Sequence, residues 1–149
     1  MTRTLRRVAT TTALALALAL ALVPTGALAR TPNYTWQMFR ETNQARMNHS
    51  VGRLDRAYRL TDAATKHARA MARRGSLFHT SGPSRYNVRC RAWGENVGYT
   101  TGDVADLQRA FMKSPSHRRH VLDRTFSRVA VGSATDDRGR LYVTLFFCT

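Results

Sequence analysis

Three short segments hold most of the side chains able to do chemistry: Phe78-His79-Thr80, Gly94-Glu95-Asn96 and Ser114-Pro115-Ser116-His117-Arg118. The chain has only two glutamates, Glu41 and Glu95, and Glu95 falls between two of its five histidines. Imidazole and carboxylate together can hold a divalent metal or move a proton near neutral pH. His79 follows Gly75 by four residues and is expected on a loop, where a rigid scaffold tends to present functional groups. His117 and His120 are three apart on an expected helix and can share a face, although Arg118 and Arg119 between them disfavour a cation. His49 and His67 read as structural, His67 as an imidazole satisfied beside the apolar side of a helix. No Ser-His-Asp or Cys-His arrangement is visible, so covalent catalysis is not expected. A lone glutamate argues against a two-carboxylate glycosidase unless an aspartate fills the second place.

These segments need elements to position them. Tyr34 to about Asn48 reads as a helix, with Trp36, Phe39, Asn43 and Met47 on one face. His49 to Asp55 reads as a turn region. A second helix is expected to start at Thr61 or Asp62 as N-cap and to stop at Gly75. Leu60, Ala64, Ala68 and Met71 line its apolar side, and the small alanines predict close packing. Ser81 to Ser84 is a breaker cluster. Asp103 can cap a third helix carrying Val104, Leu107, Ala110 and Phe111. Ser114-Pro115 ends or restarts it, and Ser116 to Leu122 suits a short helix. Val129 and Val131 read as a strand, Asp136 to Gly139 as a turn, and Leu141 to Cys148 as a strong strand. Those two runs form a hairpin that a strand near Trp93–Tyr99 could join. Helices early and strands late predict an α+β domain with helices packed over an antiparallel sheet.

Arg3, Arg6 and Arg7, the apolar run Ala13 to Leu22, and Ala27-Leu28-Ala29 have the form of a secretory signal peptide over residues 1–29. The apolar run is short for a membrane anchor, which needs about 20 residues. Arg6-Arg7 hints at twin-arginine export, but Val8 and Ala9 match poorly and the general route is favoured. Residues 30–149 would then form one soluble, secreted domain without a transmembrane anchor. The formal net charge is +15, and every basic residue except Lys66 and Lys113 is arginine. Such charge attracts anionic cell-envelope components, or reflects no more than an arginine-rich solvated surface. Nucleic acid is not an expected partner, since no motif of the usual kinds is present. Cys90 and Cys148 both lie in the exported part, where a pair of cysteines reads as a disulfide. Such a bridge would be worth roughly 4 kcal/mol by loop-closure entropy.

Taken in order, these segments resemble the CAP superfamily in its short bacterial form, the SCP domain. The superfamily includes the cysteine-rich secretory proteins, antigen 5 and the plant pathogenesis-related proteins. Asn43 to Arg46 resembles its Asn-x-x-Arg, Leu60 to Met71 its second helix, and Phe78-His79-Thr80 its Ser-His-Thr. Gly94-Glu95-Asn96 resembles its Gly-Glu-Asn, and Phe111 to Arg118 its Trp-Met-x-Ser-Pro-Gly-His-Arg. Val129 to Gly132 and Tyr142 to Phe146 resemble its closing strands. The resemblance implies a three-layer α-β-α sandwich with a mainly antiparallel sheet and a cleft. It makes His79, Glu95 and His117 the cleft residues, as catalytic groups or as ligands to zinc or another divalent metal. The chain departs from the pattern at Phe78 (for Ser), Phe111 (for Trp), His120 (for Asn) and Thr144 (for Gln). The second acidic residue of the family's cleft has no clear counterpart, with Asp103 and Asp106 as candidates. Three readings follow. One is a binding module for an envelope-derived glycan, lipid or peptide. A second is a metal-assisted hydrolase of wall or peptide material with Glu95 as general base. The third is a cationic envelope-docking protein.

Overall fold

The computed structural model describes residues 33–82 and 90–149, all within one unit, Pro32–Thr149. The expected leader and the end of the Ser81–Ser84 breaker lie outside the described residues. The elements run α1 (Tyr34–Met47), β1 (Asp55–Arg56), α2 (Tyr58–Arg74), β2 (Trp93–Thr100), α3 (Val104–Lys113), α4 (Pro115–Leu122), β3 (Arg128–Thr135) and β4 (Leu141–Cys148). The sheet order is β1-β3-β4-β2. The β3–β4 hairpin is therefore central, with β2 at one edge, antiparallel to β4, and β1 parallel to β3 at the other. No helix among the described residues is long and apolar enough to cross a membrane.

The central position of β4 follows from its sequence. All eight of its residues are buried, as an uninterrupted apolar run requires. Leu141, Val143, Leu145 and Phe147 face the layer of α1, α3 and α4, with Met38, Val104, Leu107, Phe111 and Val121 packed against them. Tyr142, Phe146 and Cys148 point to the other side, against α2 through Leu60, Ala63, Ala64 and Met71. Helices on both faces of the sheet make the expected three-layer α+β sandwich. Fully burying one such Leu or Phe stabilises by about 1.5–3 kcal/mol. Contact with α2 is closest at Gly132, where an added Cβ would lie 2.1 Å from the Ala64 carbonyl carbon and 2.2 Å from the Thr65 nitrogen.

Two local expectations are corrected. The second helix starts at Tyr58, not after Thr61, and its N-cap Ala57 offers no side-chain bond. The Ala57 amide instead donates to Val129 O at 2.9 Å, just after the two-residue strand β1. Tertiary pairing, which local sequence does not show, sets this helix start. In α1 the buried residues are Met38, Thr42, Asn43 and Arg46, while Trp36 and Met47 are 43% and 41% exposed. The inward face is mostly polar, so the apolar-periodicity reading caught Asn43 and the core-packed Phe39 but misplaced Trp36 and Met47. Trp36 stacks on Phe39, and the Arg56 guanidinium lies over both rings.

The polar inner face of α1 ties together loop segments and the last turn of α4. Asn43 donates to Leu54 O and accepts from Leu54 N, closing both polar groups of that residue. Arg46, 2% exposed, donates to the carbonyls of Gly52, Val121, Asp123 and Phe126. Burial lowers its pKa from the ordinary value, and the Asp123 charge opposes that shift. The Asn-x-x-Arg spacing thus serves the fold: two side chains on adjacent turns satisfy buried backbone groups that no ladder reaches. Cys90 and Cys148 form the expected disulfide.

Candidate functional site

Strand β2 organises the site because alternate residues leave opposite faces of the sheet. Glu95 and Val97 point to the α2 side, while Gly94, Asn96 and Gly98 point to the side of α3 and α4. As an edge strand, β2 lets groups from both faces reach one opening. A depression of about 320 Å³ lies there, lined by His79, Trp93, Gly94, Glu95 and His120.

On the α2 side, Gly75 ends the helix in a left-handed conformation (φ 67°), and the chain turns to bring His79 over β2. Glu95 is 4% exposed. Its Oε2 lies 2.6 Å from His79 Nδ1 and accepts the Thr80 amide at 3.0 Å. His67 Nε2 donates to Phe78 O at 2.8 Å, which puts a proton on that nitrogen, and lies 3.3 Å from Glu95 Oε1. A carboxylate only accepts, so His79 carries its proton on Nδ1, and the neutral ring keeps the lone pair on Nε2. The His79 side chain is 61% exposed against 2% for Glu95. The solvent-facing atom is thus on the imidazole, and the carboxylate acts through it. Glu95 lines the depression but is nearly buried, and in this arrangement it orients His79.

On the other side, Asn96 is fully buried and bonded at both ends of its amide. Its Nδ2 donates to His117 O at 3.0 Å, and its Oδ1 accepts from His120 Nδ1 at 2.9 Å. The His120 ring packs near Phe126 and Phe147 and directly over Gly94. A Cβ on Gly94 would stand 2.9 Å from His120 Cδ2 and 3.1 Å from Phe126 Cζ. The Gly-Glu-Asn triplet therefore has one task per residue. Gly94 makes room for one imidazole, Glu95 orients the other, and Asn96 fixes the proton of the first.

Of the residues expected at the site, His79 and Glu95 are in direct contact. His117 is not among the residues that line the depression; it sits on the first turn of α4, its Nδ1 2.9 Å from Ser114 Oγ and its ring against Phe111. Burial lowers the His117 pKa from the ordinary value, and His79 and His120 push the same way. Burial also lowers that of His120, with Arg119 and His79 adding to it and the Glu95 main-chain carbonyl and Asp123 opposing it. Asp103 caps α3 and Asp106 pairs with Arg109, so neither lines the depression. Sequence reasoning set aside two residues that the fold brings to Glu95 and Asn96, namely His67 and His120. The signal for His120 was its presence where the family pattern has Asn. His67 read as a satisfied imidazole on α2, as its bond to Phe78 O bears out, but nothing local pointed to Glu95, which it reaches only through the packing of α2 over the sheet.

A metal centre needs three or more converging ligands with free lone pairs. Among the described residues no three His, Cys, Asp or Glu side chains are placed to hold an ion. Glu95 Oε2 is taken by His79 and Thr80, and His117 Nδ1 by Ser114. No three-ligand centre is assembled among the described residues, and no chemistry is derived through a metal.

Comparisons with known proteins agree with this architecture. The family description "Cysteine-rich secretory protein family", CAP, matches residues 39–149. An outer surface protein from Borrelia burgdorferi shares the fold at 14% identity and a TM-score of 0.70, covering 78% of this chain and 92% of that one. An extracellular SCP-domain protein from Bacillus anthracis is 26% identical, with a TM-score of 0.64 and coverage of 77% and 40%. A cysteine-rich secretory protein from Staphylococcus aureus is 22% identical, with a TM-score of 0.64 and coverage of 81% and 40%. The chain spans about two fifths of the length of these last two. A comparison with curated proteins gave no match. A sheet with helices on both faces, the Gly-Glu-Asn strand and a family match over most of the sequence lead to one conclusion: the chain belongs to the CAP family of cysteine-rich secretory proteins.

Proposed function

We propose that this CAP protein acts outside the cell and binds a polar fragment of the cell envelope, a glycan or peptide piece, in the depression over β2. The observation that carries this reading is the 2.6 Å contact between Glu95 and His79. A buried carboxylate fixes the ring and leaves Nε2 facing solvent as a directed acceptor. Trp93, 41% exposed, supplies an apolar face beside it. A few placed polar groups next to an aromatic wall suit small ligands with hydroxyl or amide groups. The signal-peptide-like sequence of residues 1–29, the family match and the extracellular SCP-domain relative support a place outside the cell.

A second reading rests on the same contact. A carboxylate-oriented imidazole is also what a general base needs. His79 Nε2 could take a proton from water as that water attacks a carbonyl of the bound fragment.

Calorimetric titration of disaccharide-peptide fragments released from bacterial wall tests the first reading. His79→Ala removes the directed acceptor and weakens binding about tenfold, the cost of one well-placed polar contact. Unchanged affinity in that variant would refute it. Release of new amino ends from the same fragments, lost in both His79→Ala and Glu95→Ala, would establish the second reading instead.

A further inference from the structure

The basic residues of α2 are not scattered. Arg59, Lys66, Arg69 and Arg73 are all exposed, on the face opposite the buried Leu60, Ala64, Ala68 and Met71. At 100° per residue they fall within an arc of about 80° and run for about 21 Å along the helix. One acid, Asp62, shares the stripe. None of the four cations pairs with a carboxylate among the described residues.

The stripe runs into a groove between the last turns of α2 and the β3–β4 turn. Two adjoining depressions, of about 180 and 300 Å³, share Ala72, Arg73, Asp136 and Asp137. Arg69 lines the first, and Arg74, Arg138 and Arg140 the second. Asp136 is already engaged: its Oδ2 accepts from Arg140 Nε at 2.7 Å, and its Oδ1 accepts the amides of Arg138 and Arg140. Asp137 is the acid left to oppose the unpaired guanidinium groups. The end of the helix is covered as well. Gly75 and Ser76 amides donate to the carbonyls of Ala72 and Met71, and Arg140 Nη2 lies 3.3 Å from where a Gly75 Cβ would be. The negative end of the helix dipole is thus answered before a ligand arrives.

We propose that this track is a docking surface for a linear phosphodiester polymer of the cell envelope, such as a polyol phosphate chain. Guanidinium forks match phosphate oxygens in pairs. Positive charges repeated along about 21 Å, far beyond the reach of a single phosphate group, match a chain with repeated charges. The narrow, concave, charged groove at its end suits a polymer strand better than a flat bilayer. Engaging several phosphates at once multiplies weak contacts and releases counterions, so binding falls steeply with salt. This surface shares no lining residue with the His79 depression, and the proposal stands independently of the function proposed there.

The test is a fluorescence-anisotropy titration of labelled poly(glycerol phosphate) at low salt with three proteins. These are the wild type, a stripe variant (Lys66→Gln, Arg69→Gln and Arg73→Gln) and a control variant (Arg40→Gln, Arg53→Gln and Arg91→Gln). All six positions are exposed, and glutamine keeps helix propensity. Both variants lose the same formal charge. The stripe variant should bind about 10- to 100-fold more weakly, as lost phosphate contacts imply, while the control stays within about threefold by its weaker long-range attraction. Equal weakening of the two, or a stripe variant that binds like wild type, would overturn the proposal. Tighter binding to single-stranded DNA or to phosphatidylglycerol vesicles at equal phosphate concentration would overturn the assignment to an envelope polymer.

Discussion

His79 shows how much chemistry a residue gains from its neighbours. Alone it is a loop imidazole; with the buried Glu95 on Nδ1 it becomes a directed acceptor. Glu95→Gln should keep the fold but loosen that direction, weakening fragment binding by several-fold, since a charged hydrogen bond becomes a neutral one. Gly94→Ala should do damage of another kind. The new Cβ meets the rings of His120 and Phe126, and overpacking of this sort costs about 1–3 kcal/mol, seen as a lower melting temperature. The glutamate and His79 could be found in the sequence from residue type, a preceding glycine stop and the order of motifs. His120 could be seen but not ranked, because its partner Asn96 and its seat over Gly94 exist only once β2 and α4 pack together.

At the scale of elements, what could be read depended on whether a signal was local. Strand β4 announced itself through an unbroken β-forming run, and α2 through alanines at helical spacing and Gly75. Strand β1 is two residues long and is defined by its pairing with β3, so nothing local marks it. The inner face of α1 was partly misread because most of its buried groups are hydrogen-bonding ones. That face gives a sharp prediction. Arg46→Met fills similar space but leaves up to four carbonyls without their donor. Each buried unmet group costs about 1–3 kcal/mol, so denaturant melts should show a loss of at least ~3 kcal/mol. Gly132→Ala should be at least as harmful, because its Cβ would collide with the α2 main chain, which cannot rotate away as a side chain can.

For the molecule as a whole, the disulfide and two half-buried histidines set the conditions under which it stays folded. Cys90 and Cys148 are 58 residues apart, and reduction should cost about 4 kcal/mol by loop entropy, lowering the melting temperature by on the order of 15 °C. His117 and His120 have pKa values lowered by burial. The unfolded chain therefore binds more protons than the folded one as pH falls below the unfolded histidine value, near 6.5. Their contribution to stability is present above that value and is lost as pH drops toward the folded pKa values. Melting temperature should fall on acidification from about pH 7.5 to about pH 5.5, and His120→Asn should flatten that fall. An equal slope in the variant would mean His120 is not involved. The functional reading returns to one bond, between Glu95 and His79, and the most direct measurement is the ring ¹⁵N spectrum of His79, recorded over a pH series and read at its alkaline plateau. The expected result is a proton on Nδ1 with the lone pair on Nε2; a proton on Nε2, with Nδ1 bare, would contradict it.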